Sequence, residues 1–141
     1  MPMTESAVDR VDRLFRAFSD RTRLRILCLL QKQIELCVGD IMTILEIDHQ
    51  PKASQHLAIL RKAGLVTVRK AGLWCYYSMA PAQGAFHRKL LECVACCFSE
   101  VPQIRADEIR ARKVKKTGGC CPPPHKAKSS EDGNPRGCCG R

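Results

Sequence analysis

Between Val8 and Phe18 the apolar residues fall at Val8, Val11, Leu14, Phe15 and Phe18, the i, i+3, i+4 spacing that lays one stripe along a helix. Ser19-Asp20 interrupts it, and the Asp20 carboxylate is suited to cap a second helix carrying Leu24, Ile26, Leu27, Leu29 and Leu30. A third, short helix is expected to open at Gly39-Asp40, with Ile41, Ile44 and Leu45 inward and a tight polar break over Glu46 to Gln50. Pro51 fits the first turn of a fourth helix, where its fixed φ is helical and its missing N–H is not needed. Ala53, Leu57 and Leu60 give that helix a core face, and Gly64 stops it at the C′ position.

Beyond Gly64 the period shortens. Leu65, Val66 and Val68, then Leu73, Trp74, Tyr76 and Tyr77, are β-prone stretches around Arg69-Lys70-Ala71-Gly72, which reads as a hairpin with a basic tip. Helical spacing returns from Ala82 to Phe98 through Phe86, Leu90, Leu91, Val94 and Phe98, with Pro102 expected to close it. Arg105 to Lys116 is compatible with a charged helical extension, and from Thr117 the Gly, Pro, Ser and Lys content predicts a segment disordered without a ligand. The expected fold is mainly α with a small β-hairpin wing, a winged helix-turn-helix. It is expected to occupy residues 1–102, followed by a basic, Cys-rich flexible tail over 103–141.

Charge sharpens this picture. A net +10 on 141 residues points to a polyanionic partner. Residues 103–141 carry ten Lys/Arg against four Asp/Glu, which a solvated tail would explain equally well. From His49 to Lys70, however, Lys52, Arg61, Lys62, Arg69 and Lys70 occur with no Asp or Glu, and they coincide with the helix-break-helix and the hairpin. The second helix of such a pair enters the major groove, where every base pair presents a distinct donor and acceptor pattern. Ser54, Gln55 and His56 suit base edges; Lys52, Arg61 and Lys62 suit phosphates; Arg69 and Lys70 would reach the minor groove or backbone. A polar helix face with no partner is the plainer alternative, but it leaves the coincidence of break, charge and wing unexplained.

The block Ala17-Phe18-Ser19-Asp20-Arg21-Thr22-Arg23-Leu24-Arg25-Ile26-Leu27, then Glu35-Leu36-Cys37-Val38-Gly39-Asp40-Ile41, then Gln50-Pro51-Lys52-Ala53-Ser54-Gln55-His56-Leu57-Ala58-Ile59-Leu60-Arg61 and Ala63-Gly64-Leu65-Val66 resembles the arsenic-repressor (ArsR/SmtB) family over about residues 7–98. The resemblance implies a symmetric homodimer, paired through the first and last core helices, that binds a double-stranded inverted-repeat operator and is released by a ligand. In arsenic-type members the helix before the reading helix carries a Cys-Val-Cys-Asp block and a further Cys. Here Cys37 is kept, but Gly39 and Met42 stand at the other two positions, so that site is broken. The zinc-type pairs on the last core helix are absent too, since His87 has no matching Asp, His or Glu partners.

Ten cysteines remain to be placed. No apolar run is long enough to span a membrane, and Met1 to Ala17 lacks an apolar signal core, so a cytoplasmic, reduced chain is expected. Cys93, Cys96 and Cys97 at i, i+3 and i+4 share one helical face. Three thiolates on one face suit trigonal As(III), or Sb(III), as inducer, whereas zinc wants a fourth ligand. Packing as small hydrophobes is the competing explanation; it fits Cys28 and Cys75 better than three cysteines in five residues. Cys37 and the vicinal pairs Cys120-Cys121 and Cys138-Cys139 are possible auxiliary ligands. Cadmium, lead or zinc, or thiol oxidation without any metal, are alternative triggers. An enzyme is not expected: Cys93-Val94-Ala95-Cys96 has C-x-x-C spacing, but no βαβ pattern surrounds it.

Overall fold

The computed structural model describes residues 5–119. Six helices and a three-stranded sheet follow in the order α1 (Ala7–Phe18), α2 (Arg21–Lys32), β1 (Leu36–Cys37), α3 (Val38–Leu45), α4 (Gln50–Lys62), β2 (Val66–Ala71), β3 (Trp74–Met79), α5 (Ala85–Cys97) and α6 (Pro102–Lys116). Ile26, Leu27 and Leu30 of α2, Ile41, Ile44 and Leu45 of α3, Leu57 and Leu60 of α4, and Leu65, Val66 and Tyr76 of the β segment form one buried core. The inward positions expected of α3 and α4 are thus the ones occupied, as are the apolar positions of α2 except Leu24, which is half-buried.

Local chemistry fixes the helix ends. Ser6 and Asp9 form a reciprocal capping box on α1, and the Asp20 side chain accepts from the Arg23 N–H to start α2. After α4 the Gly64 N–H donates to the Arg61 carbonyl and the Leu65 N–H to the Leu60 carbonyl, with Gly64 at φ +76°. That is the Schellman arrangement, and it turns the chain directly into β2.

The sheet runs β1-β3-β2, both pairings antiparallel. Ala71 pairs with Trp74, so the hairpin tip is Gly72-Leu73. Arg69 and Lys70 therefore lie within strand β2 and not at the basic tip expected of them; Gly72, at φ +63°, supplies the left-handed residue that a two-residue hairpin loop needs. The two-residue strand β1, too short to leave a period in the sequence, zips the start of α3 to the wing through Leu36–Tyr77 and Cys37–Tyr76.

Two boundaries move. Helix α3 begins at Val38, one residue earlier than Gly39-Asp40, because Cys37 acts as its N-cap with Sγ accepting from the Asp40 N–H at 3.4 Å. Pro102 does not close α5, which ends at Cys97; it opens α6, where proline costs nothing at the first position. Residues 105–116, expected as a charged extension ahead of a flexible tail, belong to α6, which is fastened to the core. Ile104, Asp107 and Ala111 of α6 are buried, and α6 packs on α2 and α3. Cys120, Cys121, Cys138 and Cys139 lie outside the described residues.

Candidate nucleic-acid interface and thiol pair

Helix α4 presents Lys52, Gln55, Arg61 and Lys62 to solvent, with Ser54 half-buried beside them. Ala53, Leu57 and Leu60 hold the opposite face to the core. Ser54, Arg61 and Lys62 line, with Tyr77, a groove between α4 and the wing. Lys52, Arg61, Lys62 and Lys70 make no ion pair among the described residues. Cations left without protein partners on one face are suited to phosphate contact, which releases counterions into solution.

Two residues expected on this surface are otherwise engaged. His56 is turned toward α2: its Nδ1 lies 3.2 Å from Arg23 Nη1 and 3.7 Å from Asp20 Oδ1. It acts as a strut holding α4 against the start of α2. Arg69 is bidentate to Glu35, with Nε and Nη2 donating at 3.0 and 2.9 Å, and its guanidinium lies 4.8 Å from the Tyr76 ring centroid. The wing thus presents Lys70 as its uncommitted cation, while Arg69 ties the wing to the loop before β1.

Burial lowers the pKa of His56, with Asp20 opposing and Arg23 and Lys52 reinforcing the shift. Burial also lowers that of His87, whose Nδ1 accepts from the Gln83 N–H at 3.1 Å and whose buried Nε2 has no partner among the described residues. Both folded-state values lie below the unfolded value near about 6.5. The unfolded chain therefore binds more protons in this window, and stability is present above about pH 6.5 and lost as the pH falls through the folded values. Melting temperature is expected to drop between about pH 6.5 and 5, and His56→Gln, which cannot charge, to flatten that drop. Parallel pH profiles for the two proteins would show the strut to be inert.

On α5 the three candidate thiols are all exposed. Cys93 and Cys97 converge, Sγ to Sγ 3.9 Å, and the Cys97 pKa is raised by its hydrogen bond and Coulombic interaction with Cys93. Two neighbouring thiols resist joint ionisation, and an electrophilic ion between them relieves that resistance. Cys96 stands apart: among the described residues no three His, Cys, Asp or Glu side chains are grouped to hold a metal. Cys28 is buried in α2 and Cys75 half-buried in β3, as expected of packing residues, and burial pushes the Cys28 thiol up. Cys37 is buried as the α3 cap. Sequence reasoning missed Arg25, Asp107 and Arg110, which join α6 to the helix-turn-helix: Arg25 donates to Asp107 at 2.9 and 2.8 Å and to the Leu45 carbonyl at 2.8 Å.

Comparison with known proteins supports the fold and the family. The family model described as "Bacterial regulatory protein, arsR family" matches residues 20–68. The arsenical resistance operon repressor of Escherichia coli (strain K12) is 42% identical over 90 residues, covering 64% of this chain and 76% of that one. A cadmium resistance transcriptional regulatory protein CadC homolog of Staphylococcus aureus is 41% identical over 69 residues, 49% of this chain and 56% of its own. The structure of HlyU from Vibrio cholerae N16961 superposes with a TM-score of 0.57 at 31% identity, covering 68% of this chain and 99% of that one. BigR from Xylella fastidiosa, a transcriptional repressor, gives 0.54 at 27% identity over 66% and 89%. No helix among the described residues is long and apolar enough to cross a membrane. With the solvent-facing α4, a wing and these relatives, the chain belongs to the ArsR family of winged-helix, DNA-binding transcriptional regulators and is not an enzyme.

Proposed function

We propose that the protein is a cytoplasmic repressor that grips an inverted-repeat operator as a homodimer and releases it when thiolates of α5 capture As(III), or the similar Sb(III). The observation that carries the trigger is the exposed Cys93–Cys97 pair, 3.9 Å apart. Arsenous acid exchanges its three hydroxyls for three thiolates, and each thiol proton leaves in water. Two ligands are already together. Cys96, exposed on the same end of α5, supplies the third by a side-chain rotation. The names of the arsenic- and cadmium-resistance relatives support a soft ion, and the trigonal count favours As(III) over four-coordinate zinc.

The dimer reading rests on exposed apolar side chains of α1 and α5. Val8, Phe15 and Phe86 are 75%, 53% and 42% exposed, and the Phe15 and Phe86 rings meet at 5.7 Å. Such a patch belongs under a partner. A second copy related by a two-fold axis sets the two α4 helices about 34–36 Å apart, one turn of duplex. Lys52, Arg61, Lys62 and Lys70 then meet phosphates, Gln55 and Ser54 meet base edges, and Arg69 and His56 act as struts behind them.

Anisotropy titrations on promoter and scrambled duplex test the grip. Gln55→Ala is expected to lower discrimination between them by roughly 10-fold, within the ~1–3 kcal/mol of a base contact. Lys52→Ala should weaken both duplexes alike and reduce the salt slope by about 1. A wild-type protein without preference for its promoter refutes the reading. The same 3.9 Å separation favours a second trigger, oxidation of Cys93 and Cys97 to a disulfide with two electrons and two protons passing to a peroxide. Operator release by peroxide, but not by arsenite, would select it.

A further inference from the structure

The described part of α6 lies outside the helix-turn-helix, yet it is joined to both of that motif's critical neighbours. At its start only Phe98–Val101 separate it from α5. That connector is tight: the Val101 N–H donates to the Phe98 carbonyl at 3.2 Å, Ser99 Oγ donates to the Cys96 carbonyl at 3.5 Å, and Arg105 Nε of α6 donates to the Ser99 carbonyl at 3.4 Å. A displacement of the last turn of α5 has no slack in which to dissipate.

One turn further on, Asp107 is 2% exposed and accepts from three side chains: Arg25 of α2, Arg110 at 2.6 Å and, more weakly, Gln103 at 3.4 Å. The two arginines reach past it to the same place. Arg25 Nη2 donates to the Leu45 carbonyl and Arg110 Nε to the Ile44 carbonyl, the last two residues of α3, while Arg110 Nη1 lies 3.6 Å from Glu46 Oε1. These carbonyls have no intrahelical partner at a helix end. Glu46 itself is the non-glycine residue with positive φ, +57°, among the described residues, a conformation of about 1 kcal/mol or more in cost that surrounding contacts must hold. Four residues later α4 begins. The clasp therefore grips the hinge between the two helices of the reading head.

We propose that Asp107, Arg25 and Arg110 form a positioning clasp through which the state of the α5 thiols is passed, within one protomer, to the angle of α4. The inference rests on the function proposed above, with arsenite drawn by Cys93, Cys96 and Cys97. Once the Cys96 side chain has rotated toward the Cys93–Cys97 pair, holding all three sulfurs on one ion pulls the final turn of α5 after it, the Ser99 connector moves with that turn, and α6 shifts as a rigid rod. The guanidiniums carry that shift to the end of α3, where the left-handed Glu46 turn converts it into a tilt of α4. None of the three residues faces DNA or the ion. They act on the coupling alone.

The full chain tests this with Arg110→Ala, and with Asp107→Asn as a near-isosteric second variant. Three quantities are read for each: uptake of arsenite by ultraviolet arsenic–thiolate absorption, operator affinity without arsenite, and the fold-change in operator affinity that saturating arsenite produces. The expected result is unchanged arsenite uptake, unliganded operator affinity within about threefold of wild type, and an arsenite effect cut from roughly 100-fold to below about 5-fold. A loss of folding would show as lost operator affinity, which the second measurement detects; a fastening with no part in coupling leaves the third quantity unmoved. Variants that bind arsenite and release operator with the wild-type fold-change overturn the clasp and leave the sensor standing. A wild-type protein that takes up no arsenite, or keeps its operator when loaded, overturns the sensor and the clasp together.

Discussion

Cys93→Ser and Cys97→Ser are each expected to raise the arsenite concentration needed for operator release by about 100-fold or more, with operator affinity in the absence of arsenite unchanged. Both side chains are exposed, so serine disturbs no packing. What it removes is one of two sulfurs already within 3.9 Å of each other, and with it the chelate: an ion held by separated thiolates must order each of them anew. Joining two ligands in one preformed pair makes the second attachment intramolecular and raises the overall affinity by about 10²–10⁴, so losing half of the pair removes most of that gain. Cys96→Ser should cost less, about 10-fold, because Cys96 stands outside the pair and joins by rotation. The comparison is informative in either direction. If Cys96→Ser retains wild-type sensitivity while the quadruple serine variant at Cys120, Cys121, Cys138 and Cys139 loses it, the third thiolate comes from the tail. Three single α5 variants that all release at the wild-type arsenite concentration dispose of the sensor assignment altogether.

Where the chain was legible, the reason was periodicity. The core faces of α2, α3 and α4 were readable because an unbroken i, i+3, i+4 set of Leu and Ile has few alternative burials, and Asp20 and Gly64 are residues whose chemistry specifies a helix start and stop. The proposed reading surface was drawn from charge without countercharge between His49 and Lys70. Position along the chain, however, does not tell which cations are spent inside the protein: Glu35 takes Arg69 from across the sheet, and Asp20 with Arg23 takes His56. Helix α6 was read as a solvated extension for a related reason. Its buried face runs Ile104, Asp107, Ala111, with a carboxylate at the central position. A pattern search treats that aspartate as an exposed residue and loses the stripe. Only the long-range pairing with Arg25, 82 residues away, makes its burial affordable. The thiol geometry was half legible: spacing put Cys93 and Cys97 one turn apart, but rotamers decide which sulfurs meet.

That same carboxylate yields the largest expected stability change. Asp107→Ala should destabilise the protein by about 3 kcal/mol, toward the low end of the ~3–5 kcal/mol found when one partner of a buried ion pair is removed. The low end applies because the Arg25 and Arg110 side chains retain 19% and 25% exposure and can re-solvate in part, whereas Asp107 retains 3%. At about 3–5 °C per kcal/mol, between the values for 60–100-residue and 150–250-residue domains, the melting temperature falls by roughly 9–15 °C. The mechanism is loss of acceptors, not loss of packing: two guanidiniums that shared one carboxylate would be left facing each other against the end of α3. Asp107→Asn keeps an acceptor oxygen and the side-chain volume, and should lose markedly less. Lys32→Ala breaks the other α2–α6 ion pair, to Glu108, where the lysine side chain is 43% exposed; a pair so wet is worth under about 1 kcal/mol. Thermal unfolding of the three variants separates the possibilities. If Asp107→Ala melts with Lys32→Ala, then Ile104 and Ala111 alone fasten α6, and the buried charges add nothing to the hold of that helix on the reading head.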